Sequence, residues 1–478
     1  MKLRDLFPEL SGPEGEVAVT GLTADSRRVE PGFVFAALQG VAADGRDYIP
    51  AAIKAGAVAV LGHALPACDA VAIEAAEPRL ALAQAAARFY PQQPGLTVAV
   101  TGTNGKSSTV DFLRQIWTTG GARAASMGTL GAIGPSGHID LGHTTPDPVA
   151  IHATLDTLAR DGVTHAAMEA SSHGLAQYRL DAVRLGAVAF TNLTQDHLDY
   201  HPSMEAYFQA KAGLFTRLLP PDGVAVINTD DAYGARLAGQ VPQSVVRVGS
   251  GPDRDLRLLA QRFSAHGQVL RFALNGRVQQ VDLGLVGGFQ AANALVALGL
   301  VIATGADPIE AGQAMAHLKG VRGRMQLAAT RANGAPVFVD YAHTPAAVET
   351  ALKALRPHVM GRLIIVLGAG GDRDRGKRPL MGAAAAENAD VVFVTDDNPR
   401  SENPAVIRAE ILKACPEATE VGDRAEAILR AVDALQPGDA LLIAGKGHET
   451  GQTVAGVVYP FDDLEQASVA VAALDGGL

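Results

Sequence analysis

A glycine-rich loop with a lysine follows the first long apolar run of the central part of the chain. Gly102-Thr-Asn-Gly105-Lys106-Ser107 is a shortened Walker A loop, with two residues between the glycines where the usual pattern has four. Such glycines turn backbone N–H groups toward phosphate oxygens, and the helix expected at 107–117 would add its positive end. The lysine would neutralise phosphates and the serine hydroxyl would ligate Mg²⁺. The pattern predicts a nucleoside triphosphate site, against the alternative of a plain glycine-rich turn.

Two more side chains are candidates for Mg²⁺, which prefers oxygen ligands. Glu169 ends an apolar run, although an ordinary polar residue at a strand end is an equally good interpretation. His197, in the segment DHLD, is a weaker candidate because imidazole is less favoured by Mg²⁺ than oxygen. Lys211 lies in the amphipathic segment 207–215, where composition alone favours an exposed helix lysine.

The polar motifs share one position relative to the expected elements, because each follows an apolar β-like run. GTNGKSS follows LTVAV, Glu169 follows THAAM, NLTQDHLD follows GAVAFT, GGDRDRGKRP follows LIIVLGA, DDNPR follows VVFVT, and GKGHE follows ALLIA. Short apolar runs alternating with Ala-rich helical stretches predict an α/β fold. Ligands bind at the carboxyl ends of strands in open parallel sheets. Two such sheets facing each other would gather these motifs in one cleft.

Three domains are expected at 1–94, 95–325 and 326–478, consistent with roughly 150 residues per domain. The first ends near a Pro/Gln stretch at 91–94. In the second, alternation over 256–285 with turn signals at His266-Gly267 and Asn275-Gly276 predicts antiparallel hairpins added to a parallel core. Further strands are expected at 32–38, 96–100, 337–340, 363–367, 391–395 and 440–444, and a helix-then-strand unit at 50–61.

Composition and charge narrow the function class. The net charge is −10 and no long basic run occurs, which argues against nucleic acid as a partner. The two cysteines are far apart and belong to no metal or disulfide pattern, which fits a reducing compartment. The N-terminus lacks the apolar segment of a signal peptide. The longest apolar run, 294–303, is about half of a membrane span and predicts a buried helix. We therefore expect a cytoplasmic protein without a membrane span.

The ordered motifs resemble those of the Mur ligases. They are GTNGKSS, HTTPD, EASSHGL, TNLTQDHLDYH, the AK of Lys211, GRMQ, DYAHTP, GGDRDRGKRPLM, DDNPR and GKGHE. The resemblance covers essentially the whole chain and is greatest to the members that add the third residue to UDP-N-acetylmuramoyl-L-alanyl-D-glutamate in peptidoglycan precursor synthesis. It implies a UDP-binding N-terminal α/β domain, a central P-loop ATPase domain with a parallel sheet, and a Rossmann-like C-terminal domain.

The resemblance also implies a reaction. ATP would phosphorylate the D-glutamate side-chain carboxylate, an amine would attack the acyl phosphate, and phosphate would leave. Catalytic roles would fall to Lys106, Glu169, His197 and Lys211. Lys211 would be carbamylated by CO₂ and would join Ser107, Glu169 and His197 as ligands of two Mg²⁺ ions. Burial beside a metal would favour the deprotonated amine that this modification needs.

Binding roles follow from the same matches. ATP would be bound by Gly102, Thr103, Asn104, Gly105, Lys106, Ser107, Ser108, Asn293, Arg324 and Asp340. The UDP-muramoyl dipeptide would be bound by Ser26, Thr144, Thr145, Ser171, Gln177 and Arg179. Three departures from the family pattern stand out: Ser107 and Ser108 replace threonines, Gln290 replaces an Asn near the adenine, and Ala170 replaces a valine.

The added amino acid is the point that DNPR decides. Lysine and meso-diaminopimelate differ by one distal carboxylate, which arginine recognises best. Arg400 matches the diaminopimelate-adding relatives and is absent from those that add L-lysine, although a surface loop arginine is the bland alternative. Diaminopimelate would be bound by Arg373, Asp397, Asn398, Pro399, Arg400, Gly445 and Glu449.

Other enzyme and binding classes fit less well. A folylpolyglutamate synthetase-like ligase would lack the N-terminal UDP domain and DNPR, and a P-loop switch or transport ATPase would lack GDRDRGKRP and GKGHE. A dinucleotide-binding dehydrogenase is rejected because Arg373 occupies the third glycine position of GxGxxG. We expect a monomer that acts on ATP, the UDP-muramoyl dipeptide and meso-diaminopimelate, with closure of the C-terminal domain excluding water from the acyl phosphate.

Overall fold

The computed structural model describes residues 1–40, 43–198, 200–264 and 266–476. The chain forms two compact units, one of Met1–Arg257 with Leu295–Ala311 and the other of Leu258–Ala294 with Gly312–Leu478. Both are built of α/β elements, which confirms the predicted fold class. The predicted domain boundaries at 94 and 325 stay a prediction.

The strands include those predicted from the apolar runs at 32–38, 96–100, 337–340, 363–367, 391–395 and 440–444. They are β1 Gly21–Thr23, β2 Phe33–Ala36, β3 Ala59–Gly62, β4 Val71–Glu74, β5 Leu96–Thr101, β6 Ala124–Gly128, β7 Gly131–Gly134, β8 Gly137–Ile139, β9 His165–Glu169, β10 Ala187–Phe190, β11 Val224–Asn228, β12 Ser244–Gly249, β13 Leu256–Ser264, β14 Gly267–Leu274, β15 Arg277–Leu283, β16 Gln326–Thr330, β17 Pro336–Asp340, β18 Leu363–Leu367, β19 Val391–Val394, β20 Thr419–Glu420, β21 Ala440–Ala444, β22 Gly451–Val454 and β23 Val457–Pro460.

The α-helices alternate with most of these strands. They are α1 Leu3–Leu6, α2 Ile49–Lys54, α3 Pro78–Phe89, α4 Lys106–Thr119, α5 Pro148–Arg160, α6 Ser172–Ala176, α7 Met204–Gly213, α8 Ala232–Ala238, α9 Phe289–Ala303, α10 Pro308–Ala314, α11 Pro345–Leu355, α12 Lys377–Asn388, α13 Pro404–Leu412, α14 Arg424–Asp433 and α15 Asp463–Leu474. The apolar run 294–303 lies buried in α9, as predicted. No helix in the described parts of the chain is long and apolar enough to cross a membrane.

The first unit contains two sheets. Strands β1 to β4 form a parallel sheet in sequence order. The larger sheet runs β12-β11-β10-β5-β9-β6 in parallel and continues through the antiparallel strands β7 and β8. Because β10, β5 and β9 are parallel neighbours, their carboxyl ends bring the loops after Phe190, Thr101 and Glu169 to one edge. The predicted clustering of these three motifs is confirmed.

The core of the larger sheet fixes the helix that carries Lys211. Phe190 of β10 packs in one cluster with Phe208 of α7 and Phe215, and none of the three side chains is exposed to solvent. Each such burial stabilises the fold by roughly 1.5–3 kcal/mol. After α7 the chain makes a π-helical turn, Leu214–Leu218. The helix is therefore held to the sheet on both sides of Lys211.

The second unit combines hairpins with a parallel sheet. Strands β14 and β15 pair antiparallel around Asn275 and Gly276, whose positive φ values of 47° and 81° make the predicted tight turn. The six-stranded sheet has the order β16-β17-β21-β18-β19-β20, and all its pairs except β16 with β17 are parallel. The loops after β17, β18, β19 and β21 therefore meet at one edge, as predicted from their motifs.

Candidate functional site

The phosphate loop, residues 102–107, has a backbone that requires glycine at two positions. Gly102 has a φ of +150°, and a β-carbon there would lie 1.9 Å from Thr191 Oγ1. Gly105 has a φ of +84° and immediately precedes α4. The loop is fixed to the segment after β10, because the Thr103 N–H donates to the Asn192 carbonyl at 2.8 Å. This is a rigid turn at a helix start, the arrangement that binds phosphate.

Two lysines converge on this loop. Lys106 Nζ donates to the Gly102 carbonyl at 2.9 Å and the Thr103 carbonyl at 2.8 Å, and Lys211 Nζ donates to the same Gly102 carbonyl at 2.7 Å. Lys211 is 1% exposed, so the alternative of an exposed helix lysine is wrong. Burial, reinforced by the charge of Lys106, holds the pKa of Lys211 well below its usual range. This environment favours the neutral amine form of Lys211 over the ammonium form.

Glu169 is held at the end of β9 by a neighbouring turn. Its Oε1 accepts from the Thr129 N–H at 2.8 Å, and its Oε2 accepts from the Thr129 hydroxyl at 3.3 Å. A β-carbon at Gly128 would lie 2.1 Å from Oε1, so the close approach requires glycine. Glu169 and Ser107 line the same small pocket. A carboxylate and a hydroxyl in one pocket are oxygen donors of the kind that Mg²⁺ prefers.

His197 lies near Lys211 through an aromatic neighbour. Its ring is 6.2 Å from that of Tyr207, whose ring in turn lies 4.6 Å from Lys211 Nζ. It also packs edge-on against His173 at 4.8 Å. Within the described ranges no three His, Cys, Asp or Glu side chains gather as metal ligands. A metal ion bound here would therefore need hydroxyl, carbamate, phosphate or water oxygens as well.

The five residues predicted to bind the muramoyl dipeptide, apart from Ser26, form one network. The Thr145 hydroxyl donates to the Glu169 carbonyl at 3.0 Å and accepts from the Ser171 N–H at 3.0 Å. Arg179 donates to the Thr145 carbonyl at 2.6 Å and to Gln177 Oε1 at 2.8 Å. Burial, with Arg79 nearby, lowers the pKa of the Arg179 guanidinium. These contacts tie the network to the backbone of the pocket carboxylate.

Thr144 joins the same network through a residue that the sequence did not single out. Its hydroxyl lies 2.9 Å from that of Thr129, which also binds Glu169. Thr129 stands in a short turn after β6 with no motif to mark it, so only the fold reveals its place. Ser26 is half-buried in the 3₁₀ turn Ser26–Arg28, and no contact among the described residues joins it to this network.

Three loops of the second unit, which follow β18, β19 and β21, contain the DNPR cluster, defined as Arg373, residues 397–400, Gly445 and Glu449. Arg400 has a φ of +51°, and its side chain donates to the Gly371 carbonyl at 2.6 Å. Asn398 and Pro399 are buried, and the Gly371 N–H donates to the Asn398 carbonyl at 2.9 Å. The loop after β18 is thus bonded to the loop after β19.

The loop after β21 completes the cluster. Asn398 Nδ2 donates to Glu449 Oε2 at 2.8 Å. Gly445 has a φ of +113°, and a β-carbon there would lie 2.6 Å from Asp397 Oδ2. The structure therefore brings together residues 397–400, Gly445 and Glu449, whereas Arg373 is exposed and no contact among the described residues joins it to them. The cluster pairs an arginine with two carboxylates, a set that can bind a zwitterion.

The three remaining residues predicted to bind ATP lie in the second unit. Arg324 stacks on Tyr341 at 4.9 Å, and the Met325 N–H donates to Asp340 Oδ2 at 2.7 Å. Burial raises the pKa of Asp340, an effect opposed by the charge of Arg324. Asn293 donates to Gln290 Oε1 at 3.3 Å, so Gln290 holds Asn293 in place.

The chain is similar to known proteins over almost its full length. The family models "Mur ligase family, catalytic domain", "Mur ligase middle domain" and "Mur ligase, glutamate ligase domain" match residues 18–90, 100–301 and 323–447. A UDP-N-acetylmuramoyl-L-alanyl-D-glutamate--2,6-diaminopimelate ligase of Bradyrhizobium diazoefficiens is 51% identical, with 99% of each chain covered. The chain belongs to the Mur ligase family. Mur ligases are ATP-dependent peptide ligases of peptidoglycan synthesis.

Other similarities agree with this assignment. A Mur ligase of Brucella melitensis that bears the same name as the Bradyrhizobium enzyme is 50% identical, with 99% of each chain covered. A solved structure titled UDP-N-acetylmuramoyl-L-alanyl-D-glutamate--2,6-diaminopimelate ligase is 33% identical, with a TM-score of 0.73 and 99% of each chain covered. Folylpolyglutamate synthase of Mycobacterium tuberculosis, solved with ADP, has a TM-score of 0.63 at 22% identity, covering 77% of this chain and 91% of its own. That last likeness concerns the fold alone.

Proposed function

We propose that this Mur ligase joins meso-2,6-diaminopimelate to the D-glutamate side-chain carboxylate of UDP-N-acetylmuramoyl-L-alanyl-D-glutamate, using ATP. The DNPR cluster carries the proposal, because Arg400 and the Asn398–Glu449 pair come together in one place. The relatives that are about half identical over the full chain bear the name of this activity. Peptidoglycan precursor synthesis is the process that such a product would enter.

The phosphate loop supports the activation step. Lys106 and the loop N–H groups would hold the transferred phosphoryl group of ATP while the substrate carboxylate oxygen attacks it and ADP leaves. Ser107 and Glu169, which line one pocket, fit Mg²⁺ by their oxygen donors, and His197 and a carbamate on Lys211 would complete its ligands. When bound, Mg²⁺ neutralises charge that develops on the phosphoryl oxygens. We propose two such ions.

The surroundings of Lys211 support its carbamylation. The depressed pKa favours the neutral amine, whose nitrogen can form a bond to the carbon of CO₂ and then release a proton. The product is an anionic carbamate at a position where the Lys211 and Lys106 nitrogens otherwise share the Gly102 carbonyl. The negative charge would therefore stabilise Lys106 as well as supply metal-binding oxygens.

The muramoyl network would hold the acceptor substrate next to this centre. The Thr145 hydroxyl donates to the Glu169 carbonyl and Arg179 donates to the Thr145 carbonyl, so a carboxylate held by these two residues would lie close to the pocket of Glu169 and Ser107. Positioning of this kind converts a bimolecular attack into an effectively intramolecular one. Asn293, Arg324 and Asp340 are proposed as further ATP contacts, and Ser26 as a uridine contact.

The decisive experiment offers meso-diaminopimelate and L-lysine side by side with ATP, Mg²⁺ and the UDP-muramoyl dipeptide. We expect an amide product from diaminopimelate and little from lysine, because only diaminopimelate carries the carboxylate that Arg400 would bind. Phosphate release should require both the dipeptide and the amine. Efficient ligation of L-lysine would refute the assigned amino acid, and phosphate release without an amine acceptor would refute the ligase reaction.

The proposal also covers the cellular compartment, the oligomeric state and the domain boundaries. We propose that the enzyme acts in the cytoplasm, as a monomer, with domain boundaries near residues 94 and 325. Sedimentation of the purified chain at micromolar concentration tests the monomer, and limited proteolysis tests the boundaries. A stable dimer, or cleavage confined to other regions, would contradict them.

A further inference from the structure

Lys446 lies at the centre of the DNPR cluster with a side chain that is completely buried. Its Nζ donates to the Gly451 carbonyl at 2.5 Å, to Glu449 Oε2 at 3.3 Å and to Asn398 Oδ1 at 3.4 Å. It also lies 4.0 Å from Asp397 Oδ1. Burial of an ammonium group is costly unless acceptors and opposite charges surround it. These contacts supply both, so the lysine is held in one place.

Asn398 extends the grip of Lys446 on Glu449. Asn398 Oδ1 accepts from Lys446 and from the Thr453 N–H at 2.9 Å, while its Nδ2 donates to Glu449 Oε2. Lys446 and Asn398 thus bind the same oxygen of Glu449. The Glu449 side chain is 34% exposed although its partner is 0% exposed. Oε1 is therefore the oxygen that remains available to a ligand.

Lys446 lies between two carboxylates of the cluster. Asp397 and Glu449 both lie within 4.0 Å of its single ammonium group. Without Lys446, Asn398 would be the remaining side chain that holds Glu449 Oε2. The position of the carboxylate that would face a ligand ammonium therefore depends on Lys446.

The exposed hairpin β22–β23 is part of the same frame. Gln452 Nε2 donates to the Asp397 carbonyl at 2.7 Å, and the Arg400 N–H donates to the Thr453 carbonyl at 2.9 Å. Because Lys446 also binds Gly451 at the start of β22, one buried ammonium connects the hairpin, the DNPR loop and Glu449.

We propose that Lys446 is a positioning residue for the diamino acid, which holds Asn398 and Glu449 so that one carboxylate oxygen meets the distal ammonium of the substrate. The inference rests on the proposed function, since it assumes that the DNPR cluster binds the amino acid. It goes further because it assigns the placement of the ammonium-binding carboxylate to Lys446, a buried residue that does not touch the substrate.

The test compares Lys446→Met with wild type and with Lys353→Met, a matched change at an exposed lysine of α11. The substrates are meso-diaminopimelate and 2-aminopimelate, which keeps the distal carboxylate but lacks the distal ammonium. We expect Lys446→Met to raise the KM for diaminopimelate roughly 10- to 100-fold, the range for loss of a charge-assisted hydrogen bond. The KM values for ATP and the dipeptide and the kcat at saturation should change little. The preference for diaminopimelate over 2-aminopimelate should fall by the same factor, because 2-aminopimelate lacks the ammonium that this contact would bind.

Each other outcome has a defined meaning. An unchanged or lower KM for diaminopimelate in folded Lys446→Met, or an unchanged preference, overturns the positioning role. If Lys446→Met does not fold, Lys446→Gln, which keeps a donor for the Gly451 carbonyl, is judged by the same results. Failure of both variants to fold also overturns it, because Lys446 would then be needed for the fold itself. Wild-type enzyme that ligates no diaminopimelate refutes the proposed function, whereas an active wild type with a normal Lys446→Met refutes this inference alone.

Discussion

Replacement of Arg400 tests how the second carboxylate of the amino acid is recognised. One guanidinium nitrogen already donates to the Gly371 carbonyl at 2.6 Å, which leaves the rest of the group to bind a carboxylate. The backbone N–H and carbonyl of Arg400 bond to Thr453 and Ala455, and these bonds survive in Arg400→Ala. The variant should therefore keep the loop while it loses the charge-assisted contact with the ligand.

The expected magnitude follows from that contact. Loss of one desolvated charge-assisted pair costs roughly 1.5–3 kcal/mol. Since each 1.4 kcal/mol is about tenfold, the KM for diaminopimelate should rise roughly 10- to 150-fold. Arg400→Lys should fall between the variant and wild type, because lysine keeps the charge but lacks the planar fork that binds both oxygens.

Steady-state ligation assays that vary each substrate in turn give the answer. The KM for ATP should stay near the wild-type value, because Arg400 bonds to the Gly371 carbonyl and is not among the residues proposed to bind ATP. Arg408→Ala serves as the control. It removes an arginine of the neighbouring helix α13 that is bonded to Asp396 and Glu420. Equal increases for ATP and diaminopimelate, or none for diaminopimelate, would refute the reasoning.

Three further predictions concern the first unit. Gly102→Ala places a β-carbon 1.9 Å from Thr191 Oγ1, so it should destabilise the protein by roughly 1–3 kcal/mol in chemical denaturation and abolish ATP-dependent turnover. The control Gly95→Ala should change neither stability nor turnover. A fully active Gly102→Ala enzyme would contradict the strained loop. Glu169→Gln should raise the Mg²⁺ concentration needed for half-maximal activity, because it replaces a carboxylate ligand. Glu205→Gln, at an exposed position, serves as the control. An unaltered Mg²⁺ dependence in Glu169→Gln would show that Glu169 is not a metal ligand. The pKa of Lys211 is lowered in the folded state, so the unfolded chain binds more protons below pH 10.5. The free energy of unfolding should therefore rise with pH through that window more steeply in wild type than in Lys211→Met. Parallel pH curves for the two proteins would show that Lys211 is not desolvated.

Much of the fold could be predicted because apolar runs and turn chemistry act locally. The run at 363–367 became the fully buried strand β18, and Asn275-Gly276 made the tight turn that its residue types favour. The glycines of the phosphate loop were recognisable for the same reason, since a positive φ is a local requirement. The order of strands in the sheets was not predictable in this way, because it depends on pairings between distant segments.

The candidate site divides along the same line. Ordered motifs sufficed to name Lys106, Glu169 and Arg400, but the environment of Lys211 could not be read from segment 207–215, where an exposed lysine was the simpler interpretation. Thr129 and Lys446 carried no signal that separated them from ordinary turn and loop residues. The contact of Thr129 with Glu169 and that of Lys446 with Asn398 exist only once separate loops meet.

The residue types and their order along the chain determined by themselves the α/β class, the family and most of the residues proposed to bind substrates. This was possible because a motif that follows a strand can be recognised whatever the order of the strands in the sheet. Tertiary structure alone decided the chemical state of the buried groups. Lys211 has a depressed pKa because the packed sheet removes water from it and the phosphate loop brings Lys106 near. Lys446 gains its contacts with Asp397 and Asn398 because the loops after β19 and β21 lie at one edge of the sheet, and only this arrangement brings these residues together.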